Sequence, residues 1–261
     1  MALVLVSVEA GVLTLTLNRP EKLNALNPEM HQALRHGLER AADEPEIRAL
    51  LITGAGRGFC TGQDLSERDV SAGAAPIDLS VSLGSHYNPL VRRLRALPKP
   101  VVCAVNGVAA GAGANIAFAC DVVLAGRSAS FVQAFSRIGL MPDSGGTYFL
   151  PRLVGAARAM GLALLAESIS AEEAQRWGLI WKVLEDDKLL AEASALARSL
   201  ASGPTRAYGL LKKAMYASAG NSLDAQLDLE RDLQREAGSS EDYREGVSAF
   251  KEKRKPQFKG K

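Results

Sequence analysis

Twice in this chain an apolar run breaks directly into a glycine-rich turn, and that arrangement narrows the folds open to it. Ala49-Leu50-Leu51-Ile52-Thr53 leads into Gly54-Ala55-Gly56-Arg57-Gly58-Phe59-Cys60-Thr61-Gly62-Gln63-Asp64-Leu65. Val101-Val102-Cys103-Ala104-Val105 leads through Asn106 into Gly107-Val108-Ala109-Ala110-Gly111-Ala112-Gly113-Ala114-Asn115. Short apolar runs flanked by glycine or proline read as buried strands, and buried strands separated by helices predict an α/β core with parallel character. Glycine lets a backbone come close to a ligand and aim its N–H groups at it. Two such turns together can make an oxyanion hole.

The rest of the chain fits that frame. Met1 to Ala10 is apolar without a basic leader, and its pattern continues from Val12 to Leu17, so a hairpin is expected rather than a signal peptide. Asn27-Pro28 is a helix start, with Ala33, Leu34, Leu38 and Ala41 recurring at helical spacing. Asp121 to Ala125 makes another strand, Ser170-Ala171-Glu172-Glu173 a capping box for a helix ending near Gly178, and Ile180 to Leu184 a short strand. After Gly203-Pro204 the pattern is helical only, through Lys212, from Asp224 to Arg235 and from Tyr243 to Lys253. A boundary is therefore placed near 200, with a core over 1–200 and a helical region over 201–261. Leu223, Leu227 and Leu233 fall roughly on one face, a stripe that a sister subunit would bury.

Other classes of function find little support. A net charge of +2 does not suggest a nucleic-acid surface, and Lys251-Glu252-Lys253-Arg254-Lys255 reads as a solvated basic tail. No apolar run approaches the length of a membrane span. Cys60, Cys103 and Cys120 lack a C-x-x-C pair and read as reduced core thiols of a cytoplasmic protein. Gly54-x-Gly56-x-Gly58 brings its third glycine one residue early for a dinucleotide fingerprint. His31, His36 and His86 are scattered, with no metal spacing, and read as surface or interhelical residues. Ser144 beside Gly145 is no nucleophile elbow.

Asp143, in Ile138-Gly139-Leu140-Met141-Pro142-Asp143-Ser144-Gly145-Gly146-Thr147, has two readings. It either caps the helix that follows or serves as an acid/base in a catalytic site.

Together these segments resemble the crotonase (enoyl-CoA hydratase/isomerase) superfamily, from about Gly11 to the C-terminus. The resemblance implies a ββα spiral core with a C-terminal helical oligomerisation region, trimers paired into hexamers, and acyl-CoA thioesters as substrates. No cofactor or metal is implied, because coenzyme A enters as part of the substrate. It places the backbone N–H groups of Gln63 and Ala112 on the thioester oxygen. Lys22, Leu23 and Ala25 of Asn18-Arg19-Pro20-Glu21-Lys22-Leu23-Asn24-Ala25-Leu26 lie beside the nucleotide, with Asp64, Leu65, Gly113, Asn115 and Phe135 as further contacts. Lys253 of the tail is expected to reach a neighbour's phosphates.

Departures from the hydratase pattern refine the expectation. Where hydratases carry two glutamates that hold and activate water, this chain has Asn115 and Phe135. An amide is no base near neutral pH, and a phenyl ring neither holds nor deprotonates water. Asp143 remains, aligned with the acid of dienoyl-CoA isomerases and of the ring-opening isomerases of bacterial phenylacetate breakdown. Phe131 to Asp143, Ala157 to Leu165, Trp177-Gly178-Leu179-Ile180-Trp181 and Tyr243 to Phe250 resemble the latter branch. The expected reaction is the rearrangement of an epoxide-bearing arylacetyl-CoA to its oxepin by a 3-to-2 double-bond shift. Three alternatives stand beside it: a hydratase, an aromatic acyl-CoA dehalogenase with His86 as base, and a non-catalytic CoA-ester-binding scaffold. The acyl group would be selected by the loop from Ser66 to Tyr87, with Ser71 to Pro76 as a lid.

Overall fold

A computed structural model describes residues 2–67 and 77–261; the expected lid at 71–76 lies outside them. Among the described residues the strands are β1 (Val4–Glu9), β2 (Val12–Leu17), β3 (Ala49–Gly54), β4 (Gly58–Cys60), β5 (Val101–Val105), β6 (Val108–Ala110), β7 (Val122–Gly126), β8 (Ser130–Val132), β9 (Ser168–Ser170) and β10 (Lys182–Leu184). They form a sheet ordered β1-β2-β3-β5-β7-β10 and a second ordered β4-β6-β8-β9. From β3 to β8 the chain alternates between the two sheets. A helix follows each pair: α3 (Asn88–Ala96) comes after β4, α4 (Ala112–Phe118) after β6 and α5 (Gly146–Leu165) after β8. Three ββα turns thus wind into a spiral. Only β1–β2 and β8–β9 pair antiparallel; the other ladders are parallel.

The expected hairpin is present, with Val4 opposite Leu17 and Glu9 opposite Val12. Ala10 and Gly11 close it at φ 48° and 76°, a two-residue turn whose twist matches its strands. In β3 every residue but Gly54 is buried, yet the two faces pack differently. Leu50 and Ile52 join Val101, Cys103 and Val105 against Met30, Leu34 and Leu38 of α1 (Pro28–Asp43). Ala49 and Leu51 join Val102 and Ala104 against Leu189, Ala193 and Ala197 of α7 (Asp186–Ala201). A helix on each face explains why β3 and β5 read as continuous apolar runs. Asn27 caps α1, its side chain accepting from the Met30 N–H at 3.0 Å. Ser170 does the same for Glu173 at 3.1 Å, opening α6 (Ala171–Arg176).

Three expectations are corrected. Ser66 to Tyr87 is not a loop throughout, because Asp78 accepts from the Ser80 N–H and starts α2 (Leu79–Ser82). A π-helical turn, Leu83–Tyr87, then joins α2 to α3. The helix α5 is long and apolar enough to match a membrane span by length and composition. However, Gly155 stands inside it at φ 78°, ψ 162°, which divides it into two pieces, each too short to cross a bilayer. Leu233 of α9 (Leu223–Gly238) is buried within the chain, whereas Leu223 and Leu227 are exposed, so the three do not share one burial environment.

Beyond Ala201 only helices follow: α8 (Thr205–Ala217), α9 and α10 (Glu241–Glu252). They are fastened to the sheet layer. The Lys212 ammonium lies 2.7 Å from Asp121 and donates to the Lys99 carbonyl at 2.9 Å. Tyr216 donates its hydroxyl to Asp121, whose other oxygen accepts from the Val101 N–H at 2.8 Å. Arg48 donates to Thr205 Oγ1 and to the Phe258 carbonyl, both at 2.9 Å, and to the Gly203 carbonyl.

Candidate active site

The two glycine-rich turns meet. Gly62 sits at φ 83°, and a Cβ built there would lie 3.2 Å from the Ala112 nitrogen and 3.1 Å from the Ala110 carbonyl oxygen. A Cβ on Gly113 would strike the Cys60 carbonyl. The absence of side chains at 62 and 113 is therefore what lets the backbones touch. Leu26 and Gln63 form a parallel bridge in which the Leu26 N–H donates to Gly62 and the Asp64 N–H donates to Leu26. In such a bridge the peptide groups of Gln63 itself turn to the opposite side of the strand. Ala112 opens α4 behind Gly111, at φ 53°, ψ −126°. Its N–H thus lies in a first turn, where the helix offers no acceptor of its own.

A clasp holds the Asn18–Leu26 segment against these turns. Asn24, fully buried, accepts from the Arg19 N–H at 2.8 Å and donates to the Ala55 and Gly58 carbonyls at 2.9 and 2.8 Å. Arg19 donates to the Ala25 carbonyl at 2.7 Å and pairs with Asp64 at 2.8 Å. Asp64 also accepts from the Ser66 N–H and hydroxyl. The Ser66 hydrogen bonds, with Arg19 adding to them, bring its carboxyl down to about 2. Its carboxylate is occupied within the fold. Lys22 is exposed, Leu23 packs on Gly58, Ala25 is buried and Leu65 is exposed. Lys253 is exposed at the end of α10.

Asp143 is half-buried and does not cap α5, which opens at Gly145 without a side-chain cap. Its carboxylate accepts instead from the Ser144 hydroxyl at 2.8 Å. Burial raises its pKa above the ordinary aspartate value, and the Ser144 hydrogen bond offsets part of the rise. Its main-chain carbonyl accepts from the Gly146 N–H at 2.7 Å and from the Asn115 amide at 2.8 Å. The Asn115 oxygen in turn accepts from Gln133 at 2.9 Å. Asn115, fully buried and three residues into α4 from Ala112, sits about 5 Å along the axis from the Ala112 N–H. Phe135 is buried with its ring over Gly111, 3.6 Å from where a Cβ would stand there. Asp143, Asn115, Phe135, Ala112, Gly113 and Gln63 therefore belong to one neighbourhood.

The chemistry open to this arrangement is narrow. It offers backbone donors for a developing negative charge, one carboxyl with raised proton affinity and an apolar wall. Among the described residues no group of three or more His, Cys, Asp or Glu is placed to hold a metal. The three cysteines are free and buried, and burial pushes the Cys60 thiol up to about 12, far from a reactive thiolate. Arg19, Asn24, Asn106, Gln133 and Ser144 escape a reading from sequence. Asn106 donates to Gly56 at 2.9 Å and accepts from the Gly54 N–H at 3.0 Å, bracing the first turn. Their one signal in sequence is adjacency to the motif residues.

Comparison with known proteins agrees with this geometry. The family model described as enoyl-CoA hydratase/isomerase matches residues 7–261. The 1,2-epoxyphenylacetyl-CoA isomerase of Escherichia coli (strain K12) is 60% identical over 262 residues, covering 100% of both chains. The 2,3-dehydroadipyl-CoA hydratase of the same strain is 41% identical over 261 residues, again covering 100% of each. The crystal structure of an enoyl-CoA hydratase from Bacillus anthracis superposes with a TM-score of 0.93 at 32% identity, covering 99% of this chain and 100% of that one. With its spiral, its paired glycine turns and a family match over nearly its whole length, the chain belongs to the enoyl-CoA hydratase/isomerase family.

Proposed function

We propose that this protein is an acyl-CoA isomerase that rearranges 2-(1,2-epoxy-1,2-dihydrophenyl)acetyl-CoA to its oxepin by moving a proton from the α to the γ carbon. The observation that carries the reading is Asp143, the acid of this neighbourhood, half-buried with raised proton affinity and braced by the residue that stands where hydratases place a base. The 60% identical relative bears the name of that activity.

The epoxide fused to its diene first opens, without proton movement, to an oxepin that still carries a saturated acetyl-CoA arm, and the proton shift then converts this to the conjugated oxepin product. Asp143 takes the proton next to the thioester, charge moves onto the thioester oxygen, and the protonated carboxyl returns the proton two carbons along. Atoms and charge balance with no outside reagent. The Gln63 and Ala112 N–H groups hold the oxygen while it is negative, and one such donor contributes roughly 3–4 kcal/mol. Phe135 keeps water from the intermediate, and Asn115 cannot act as the base that would activate it.

The same proposal includes assembly and location. Met160, Leu164, Leu165 and Trp181 are each exposed by more than 60%, large apolar side chains suited to burial between copies. A trimer or a dimer of trimers would cover it, with the region after 200 contributing and Lys253 reaching a neighbour's coenzyme A. Three free buried thiols suit a cytoplasmic enzyme. Coenzyme A enters as part of the substrate, and no separate cofactor is invoked.

The test is product analysis with the epoxide, generated by coupling to an oxygenase, alongside 3-hexenoyl-CoA and crotonyl-CoA. Oxepin and 2-hexenoyl-CoA should form while crotonyl-CoA stays unhydrated. Rapid formation of 3-hydroxybutyryl-CoA would favour the hydratase reading and overturn this one.

A further inference from the structure

Ser144 follows the proposed proton carrier in an unfavourable backbone conformation. Its φ is 50°, in the left-handed region, where a residue with a Cβ is strained and glycine is not. It is also 2% exposed, so its hydroxyl needs a partner inside the protein. That partner is not the helix, because α5 opens at Gly145 with no side-chain cap. Nor does the hydroxyl brace the turn, which is held through the main chain by the Gly146 N–H and the Asn115 amide, both donating to the Asp143 carbonyl. Among the described residues its one hydrogen bond is donated to Asp143 Oδ1, at 2.8 Å.

This bond makes the two carboxylate oxygens unequal. Oδ1 receives the Ser144 O–H, whereas Oδ2 has no hydrogen-bond partner among the described residues. An oxygen that already accepts a hydrogen bond is the poorer site for a proton, so the protonated carboxyl carries its hydrogen on Oδ2. Nearby charges do not blur the asymmetry. No charged side chain stands on α4, and Arg137, of the turn Ala134–Ile138, donates to the Ala166 carbonyl instead. Burial and the Ser144 bond are what move the Asp143 pKa, in opposite directions.

We propose that Ser144 is a positioning residue for the proton transfer, its hydroxyl holding Oδ1 so that Oδ2 alone takes the α proton and returns it at the γ carbon. This rests on the isomerase reading and adds to it which oxygen carries the proton and what fixes that choice. In the first half of the transfer a C–H bond at the α carbon breaks and an O–H bond forms on Oδ2. In the second half that O–H bond breaks and a C–H bond forms at the γ carbon, while the double bond moves from the β,γ to the α,β position. No other reagent is consumed. Because the hydroxyl donates to the ionised carboxylate, it also keeps the base ionised to lower pH than burial alone would allow.

The test compares Ser144→Ala, which keeps the strained backbone, with Ser144→Gly, which relieves it; both delete the hydroxyl. With 3-hexenoyl-CoA as substrate, both should lower kcat by roughly tenfold or more while KM changes little. Both should also move the acid limb of kcat/KM to higher pH by about one unit, the effect of losing a hydrogen bond to a charged group. Ser144→Cys, a weak donor of similar shape, should recover part of each. With substrate deuterated at the α carbon, the unmodified protein should deliver more label to the γ carbon than Ser144→Ala or Ser144→Gly does. A loss of kcat in Ser144→Ala that Ser144→Gly restores would show that the residue acts through the backbone and overturns the proposal, as does an unmoved acid limb or equal label transfer. The Asp143 carboxyl resonance, identified by its absence from Asp143→Asn, reads the same bond without turnover. No isomerisation by the unmodified protein, with that resonance titrating at higher pH in Ser144→Ala, would count against the isomerase reading and not against the Ser144 bond.

Discussion

Asp143 is held where its charged form is disfavoured, and that has a measurable sign. Because its pKa is raised by burial in the folded protein, its contribution to stability is fully present below the ordinary carboxylate range. It is lost as pH rises through the folded-state value. Above that value the ionised group is therefore a burden on the fold. Asp143→Asn should abolish isomerisation by several orders of magnitude, since an amide cannot accept the proton. The same variant should melt at or above the unmodified protein at pH 7, the difference closing as pH falls below about 4. Melting curves at two pH values check this; a lower melting temperature at pH 7 would mean that Asp143 serves the fold instead. Asp143 is legible in sequence because it is the acid left once the hydratase positions are seen to be empty. Asn24 and Gln133 are not, because a buried amide is defined by partners 31 and 18 residues away.

At the scale of elements, the turn that presents Asp143 is held from α4. Ser144 and Gly145 are both left-handed, at φ 50° and 85°, a conformation a serine adopts only when its surroundings impose it. Asn115 supplies part of that imposition. A Cβ on Gly146 would strike its amide, so the turn and the amide are fitted to each other. Asn115→Ala removes one hydrogen bond from the Asp143 carbonyl and strips Gln133 of its acceptor, which should cost about 1–3 kcal/mol of stability. It should also lower kcat by more than it raises KM, because the proposed base Asp143 is mispositioned while the proposed coenzyme A contacts remain. Urea denaturation and steady-state kinetics check both. Unchanged kcat would show that the turn holds itself. Apolar patterning announces β1, β2, β3, β5 and β7, each five or six residues long. The strands of the second sheet are three residues each, too short to show a period, so the alternation that makes the spiral could not be read from them. The π-helical turn is hidden for a different reason: serine and glycine at 80–85 read as loop.

For the whole molecule, a buried ion pair joins the C-terminal helices to the sheet layer. Lys212 and Asp121 are each largely buried, and Asp121 also receives Tyr216 and the start of β5. Lys212→Ala leaves that carboxylate buried without its cation, which should cost about 3–5 kcal/mol. Denaturation would read this as a lowered midpoint, and a loss under 1 kcal/mol would show that the surrounding hydrogen bonds suffice. The division into a core and a helical tail is suggested in sequence by the change of pattern after Gly203-Pro204. The joint itself is invisible there, since 91 residues separate Lys212 from Asp121. The two backbone turns that meet at Gly62 and Ala112 carry one more consequence. They come from successive windings of the spiral, so the part of the site suited to stabilising negative charge is inherited with the fold. The part proposed to move the proton is a replaceable side chain, Asp143. A lineage built this way can exchange one reaction for another by point substitution without first losing its grip on the thioester, and full-length relatives named as isomerase and as hydratase, 60% and 41% identical to this chain, are what such a history would leave behind.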